Sequence, residues 1–183
     1  MLDTKIADFS LPATSGQAFN LSALAGKLVV IYFYPKDSTP GCTTEGQQFR
    51  DLYDQFAAVD AIILGISRDS LKSHENFKEK LAFPPLEQKL SLKDLLFGST
   101  EVPISNENQP SIRAFPFELG SDTDEAVCNL FAVMKMKNMY GKQVRGVERS
   151  TFVIDRNGLL RREWRGVKVP GHAQEVLDFV KTL

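Results

Sequence analysis

Two uninterrupted apolar runs, Leu28 to Tyr34 (LVVIYFY) and Ala61 to Ser67 (AIILGIS), constrain this chain more than any other feature. Both are short, rich in β-branched and aromatic residues, and free of polar alternation, as strands covered on both faces are. Each run is followed by a helical pattern. After the first, Phe49, Leu52, Tyr53 and Phe56 recur at i, i+3, i+4 and i+7; after the second, Ser73 to Phe83 is charged and helical in character. The order strand, helix, strand, helix predicts parallel pairing through crossovers. Later, Thr151 to Asp155, the turn Arg156-Asn157-Gly158 and Leu159 to Trp164 read as an antiparallel hairpin, with Asn-Gly suited to a primed turn. Val176, Leu177, Phe179 and Val180 then close the chain on a helix. The expectation is an α/β domain whose mixed central sheet carries helices on both faces.

One segment interrupts this economy. Between the helix ending near Phe83 and the run Phe117 to Leu119 lie about thirty residues, where such connections usually take roughly 2 to 6. The flanks repeat, as Ala82-Phe83-Pro84 and Ala114-Phe115-Pro116, so residues 85–116 read as an insertion within a single domain spanning 1–183. Leu86, Leu90, Leu95, Leu96 and Phe97 ahead of Gly98 predict a short amphipathic helix, and Ser99 to Pro110 is polar and loop-like. The segment is either a surface excursion or an element displayed to a partner. The first reading is preferred, because a helix apolar on one side usually packs on its own domain.

At 183 residues the chain can bury a full core. Its 22 basic and 23 acidic residues give a net charge of −1, which offers no attraction to nucleic acid or an anionic membrane. The start, Met1 to Phe9, has neither a basic nor a long apolar region, so the chain reads as unexported and cytoplasmic. Its 2 cysteines are too few for a disulfide scaffold. His74 and His172 stand apart from each other and from any cysteine pair, so neither a metal nor another cofactor is expected.

Chemistry concentrates in Pro35-Lys36-Asp37-Ser38-Thr39-Pro40-Gly41-Cys42-Thr43-Thr44-Glu45, between the first strand and a helix that begins about Cys42. A thiol in the first turn of a helix feels the positive end of the macrodipole and unpaired N–H groups, both of which favour thiolate. Thr39 can place a hydroxyl beside the sulfur, and Pro40-Gly41 forms a rigid turn open to a small substrate. The helix's apolar face falls on Phe49, Leu52, Tyr53 and Phe56, so core packing does not call for Cys42.

Pro35, Thr39 and Cys42 match the Pro-x-x-x-Thr-x-x-Cys motif, and Thr-Pro-Gly-Cys-Thr-x-Glu resembles the peroxiredoxin Q branch of the peroxiredoxins. The resemblance extends over nearly the whole chain outside the insertion, including Asp124 to Phe131, Asn138 to Lys142 and Glu148 to Phe152. It implies a thioredoxin-like fold and a hydroperoxide substrate. It further implies Cys42 as the peroxidatic thiolate, Thr39 as the hydroxyl that binds peroxide, Arg149 as the cation that stabilises thiolate and polarises the O–O bond, and Pro35 as a shield. Glu45 is read either as the residue that orients Arg149 or as a helix N-terminal charge favoured by the dipole.

The chain departs from its relatives in its second thiol. The places where many of them carry a resolving cysteine are occupied by Gln47 and Lys78. Cys128 sits in a helical stretch with Val127 and Leu130 and reads as a small buried hydrophobe. The expectation is a one-cysteine cycle in a monomer or weak dimer, with thioredoxin, glutaredoxin or glutathione as external reductant. A thioredoxin-like disulfide reductase would need a cysteine where Thr39 stands.

Overall fold

The computed structural model describes residues 2–82, 114–139 and 141–183. An N-terminal hairpin of β1 (Ser10–Pro12) and β2 (Ala18–Asn20) leads through a 3-10 turn (Ser22–Leu24) to β3 (Leu28–Phe33). Helices α1 (Pro40–Asp51) and α2 (Tyr53–Ala58) follow, then β4 (Ala61–Ser67) and α3 (Leu71–Leu81). After the gap come β5 (Glu118–Ser121), α4 (Ala126–Leu130), β6 (Met134–Met139), β7 (Lys142–Val147), β8 (Ser150–Ile154), β9 (Leu160–Arg165) and α5 (His172–Val180).

The main sheet has the order β5-β4-β3-β8-β9, parallel from β5 to β3 and antiparallel from β3 to β9. This is the mixed sheet that the sequence predicts, with β3 at its centre. Alternation along β3 divides the core in two. Leu28, Val30, Tyr32 and Tyr34 enter one apolar cluster with Phe49, Phe56, Phe77, Leu81 and α5. Val29, Ile31 and Phe33 enter the other, with Leu11, Leu21, Val127, Cys128 and Phe131. Helices α1, α2, α3 and α5 therefore cover one face, while α4, the 3-10 turn and the N-terminal segment cover the opposite one.

Three local features differ from expectation. The helix predicted to run unbroken through Phe56 divides at Leu52 (φ −98°, ψ 0°) and restarts at Tyr53, which keeps Phe56 fully buried. The hairpin turn is not primed: within Asp155–Leu159 only Gly158 has positive φ, at 79°, whereas a type I′ turn requires two such residues. The Asp155 carboxylate accepts from the amides of Asn157 (2.8 Å) and Leu159 (3.0 Å), and a register shift at Val153/Ile154 absorbs the extra residue. The β6–β7 ribbon was not anticipated, although the alternation Met134-Lys135-Met136-Lys137 carries the two-residue period of a strand.

The amphipathic helix and polar loop expected within 85–113 lie outside the described residues. The last three residues of the proposed insertion are described, and Phe115 is buried against Phe117, with ring centroids 4.2 Å apart. Among the described residues, no helix is long and apolar enough to cross a membrane. No group of three or more His, Cys, Asp or Glu among them could hold a metal ion.

Candidate active site

Proline at the first helical position and extended backbone at Thr39 (φ −81°, ψ 151°) start α1, making Cys42 its third residue. The first helical bond, from the Thr43 amide to the Thr39 carbonyl, measures 2.9 Å. Cys42 is 2% exposed. Contrary to the sequence expectation, it shares the buried side of its helix: Cys42, Glu45 and Phe49 follow at i, i+3 and i+7, and Cys42 belongs to the same apolar cluster as Phe49. The sulfur thus combines a helix N-terminus with a desolvated wall.

Arg149 enters from the two-residue link between β7 and β8, its carbonyl held by the Val167 amide at 3.0 Å. Its Nη2 donates to Cys42 Sγ at 3.3 Å, and Nη1 forms an ion pair with Glu45 Oε2. Burial works against the guanidinium's charge, but the negative charges of Glu45 and Cys42 outweigh it and hold Arg149 above its ordinary range. Gly41 belongs to this geometry, since a Cβ there would stand 3.4 Å from Arg149 Nη2. Glu45 is buried in contact with the guanidinium, which favours its reading as a partner of Arg149 over a solvated helix charge. Burial pushes its carboxyl up to about 7, against the opposing pull of Arg149.

Thr39 and Pro35 are half-buried in the same loop. The Thr39 hydroxyl donates to the Lys36 carbonyl at 3.1 Å rather than to the sulfur, which leaves its oxygen lone pairs free to accept from a peroxide O–H. Of the five residues singled out by sequence, the structure joins Cys42 and Glu45 through Arg149 and leaves Thr39 and Pro35 in the loop that leads into α1. Asp37, within the same quoted stretch, was given no role; here its carboxylate accepts from Tyr34, Ser73 and His74. No local pattern in the sequence marks Asp37 as buried or pairs it with α3.

The second thiol lies elsewhere. Cys128 is in the cluster on the opposite face of the sheet from Cys42. Burial, then a hydrogen bond and charge from Asp122, push it far above the ordinary thiol range. Lys78, at one of the family's resolving positions, instead pairs with Glu118 at 2.9 Å.

A cationic donor on a helix-terminal, desolvated thiol can hold sulfur as the nucleophile and stabilise negative charge on an oxygen leaving it. The comparisons agree. The AhpC/TSA family model matches residues 2–163. Peroxiredoxin Bcp of Xanthomonas campestris is 45% identical over 183 residues, covering 99% of this chain and 94% of that protein. Peroxiredoxin Bcp of Bacillus subtilis is 38% identical over 179 residues, covering 98% and 94%. Among solved structures, peroxiredoxin Q of X. campestris superposes with a TM-score of 0.74 at 45% identity, over 95% of this chain and 90% of that one. A cysteine-to-serine mutant of Xylella fastidiosa PrxQ gives 0.78 at 36% identity, over 100% and 96%. The chain belongs to the AhpC/TSA family, as a thiol-dependent peroxidase of the peroxiredoxin Q (Bcp) branch.

Proposed function

We propose that the chain reduces hydrogen peroxide and organic hydroperoxides in a one-cysteine cycle centred on Cys42. The thiolate sulfur attacks the terminal oxygen of ROOH, the O–O bond breaks, and its electron pair leaves on RO⁻, which takes a proton to become ROH. Cys42 is left as sulfenic acid. An external thiol condenses with it to a mixed disulfide and water, and a second thiol releases Cys42 and carries the oxidising equivalents away as a disulfide. Thr39 binds the peroxide by accepting its O–H, Arg149 stabilises both thiolate and leaving oxygen, Glu45 orients Arg149, and Pro35 shields the sulfur. The observation that carries this reading is the 3.3 Å contact from Arg149 to a sulfur in the first turn of α1. The reading extends to a cytoplasmic monomer or weak dimer served by thioredoxin, glutaredoxin or glutathione.

The position of Cys128 supports external reduction. A disulfide needs Cβ atoms about 4 Å apart, and a five-stranded sheet separates the two thiols' clusters. Peroxide turnover with each reductant tests the cycle. Cys42→Ser abolishes turnover, Cys128→Ser leaves most of it, and mass spectrometry of peroxide-treated protein finds an adduct on Cys42 without an internal crosslink. Comparable losses from both variants, with a crosslink between them, would replace this scheme by an intramolecular cycle.

A further inference from the structure

The loop ahead of Cys42 buries an acid that the reaction scheme leaves without a task. Asp37 is 6% exposed, although an isolated carboxylate is costly to take out of water. Donors surround it. Tyr34 Oη donates to Oδ1 at 2.8 Å, Ser73 Oγ donates to Oδ2 at 2.7 Å, and His74 Nδ1 lies 2.9 Å from Oδ2. The Asp37 amide donates to Asp69 Oδ2 at 2.9 Å. His74 is fully buried, and its Nε2 lies 3.2 Å from the Gly120 carbonyl of β5. The ring thus bridges the Asp37 carboxylate to the Gly120 carbonyl, one nitrogen facing each, and joins the peroxide-binding loop to α3 and β5. Burial pushes the Asp37 carboxyl upward, but the bonds and charge of His74, with the Ser73 and Tyr34 hydroxyls, outweigh it and hold the acid below its ordinary range.

A buried ion pair is poor evidence for stability, since apolar residues of similar volume often serve as well. Its placement suggests another use. Next to Asp37, Ser38 has a left-handed backbone (φ 58°), and Lys80 Nζ donates to its Oγ at 3.0 Å. Residues 35–39 are therefore fastened to α3 at two points, and the fastened stretch ends on Thr39, the cap of the helix that carries Cys42.

We propose that the Asp37–His74 pair positions the peroxide-binding loop, setting where Thr39 and the first turn of α1 stand relative to Arg149. The proposal rests on Cys42 as the attacking residue. Its expected effect falls on the peroxide step, where misplacement by about 1 Å can cost up to ~100-fold.

Stopped-flow measurement of peroxide oxidation per folded molecule, with hydrogen peroxide as probe, tests it in His74→Gln, His74→Asn, Ser73→Ala and Cys42→Ser. Asparagine keeps a donor at the Nδ1 position facing Asp37; glutamine places its amide near Nε2, toward Gly120. His74→Gln slows the peroxide step about tenfold, and His74→Asn recovers it to within about threefold of the parent. Equal rates in the two His74 variants, whether parental or slowed alike, overturn the proposal. If neither folds, Ser73→Ala decides: a peroxide step slowed about threefold or more supports the positioning role, and a smaller change overturns it. Turnover by Cys42→Ser would overturn the site reading and the proposal together. An inactive Cys42→Ser beside unaffected Asp37-facing variants overturns the proposal alone.

Discussion

Glu45 meets Arg149 with one carboxylate oxygen and leaves the other, Oε1, buried without a hydrogen-bond partner among the described residues. The site therefore holds a carboxyl whose environment favours its neutral form. Burial lifts it from 4.5 to about 7, and the guanidinium opposes the shift without cancelling it. For an acid raised on folding, the stabilising effect is complete below the unfolded value and is lost as pH rises through the folded one. Glu45→Gln imitates the neutral acid at every pH. The stability of this variant relative to the parent should therefore climb between pH 4.5 and about 7, by up to about 1.4 kcal/mol per pH unit, and be level outside that window. Urea midpoints measured across the range check this, and a level difference throughout would show that folding leaves the Glu45 carboxyl at its ordinary value. Cys42 and Arg149 were legible in the sequence because a short motif fixes each beside a strand end or helix start. The partnership of Asp37 with His74 was not, since they lie 37 residues apart and no local pattern relates them, and the Thr39 hydroxyl's choice of the Lys36 carbonyl depends on loop geometry that a motif does not encode.

Strand β4 shows how an element far from the sulfur in sequence shapes the wall behind it. A Cβ on Gly65 would stand 2.6 Å from Tyr32 Cζ and Oη and 2.8 Å from Leu119 Cδ2. The missing side chain is what admits the Tyr32 ring, which stacks on Phe49 of α1 at 4.7 Å. Gly65→Ala must push the tyrosine toward α1 or part β4 from β5, and a well-packed core charges about 1–3 kcal/mol for such crowding. Urea unfolding of the variant should show that loss; an unchanged midpoint would mean that this layer has slack and that Tyr32 does not fix α1. The strands themselves were readable because β3 and β4 are apolar on both faces, a pattern few other elements share. The hairpin's turn was misread at the Asn-Gly pair because Asp155, just before it, supplies a side-chain acceptor for two backbone amides and so stabilises a different turn. The division of α1 from α2 left no mark either, as Leu52 and Tyr53 keep helical spacing across the break.

For the whole molecule, the question is whether residues 85–116 belong to the enzyme or are carried by it. The described ends of the gap are both tied to the core. Arg50 Nη1 donates to the carbonyls of Leu81 (2.6 Å) and Ala82 (3.0 Å) where the chain leaves α3, and Phe115 and Phe117 are buried where it returns. The Lys78–Glu118 pair, at 2.9 Å, brings the last turn of α3 beside the start of β5. Joining Pro84 directly to Phe117 leaves three Cα steps from Ala82 to Phe117, a reach of about 10–11 Å, which suits elements already side by side. The repeated flank supplies what the deletion removes, because Phe83-Pro84 then stands in the same place relative to Phe117 as Phe115-Pro116 does in the parent. Shortening a loop changes its closure entropy by only about 0.6 kcal/mol per halving, so the backbone raises no obstacle. The deletion variant is expected to fold, to melt close to the parent and to keep peroxide turnover, since Cys42, Thr39, Arg149 and Pro35 all lie outside the segment. Within that variant Phe83→Ala should cost about 3–5 kcal/mol, the loss of a buried phenylalanine, measured by urea unfolding. A deletion variant that melts far below the parent would place the segment's leucines in the main core. One that folds without turnover would make the segment part of the peroxide pocket or of the reductant's docking surface, and the division between enzyme and insertion would fail.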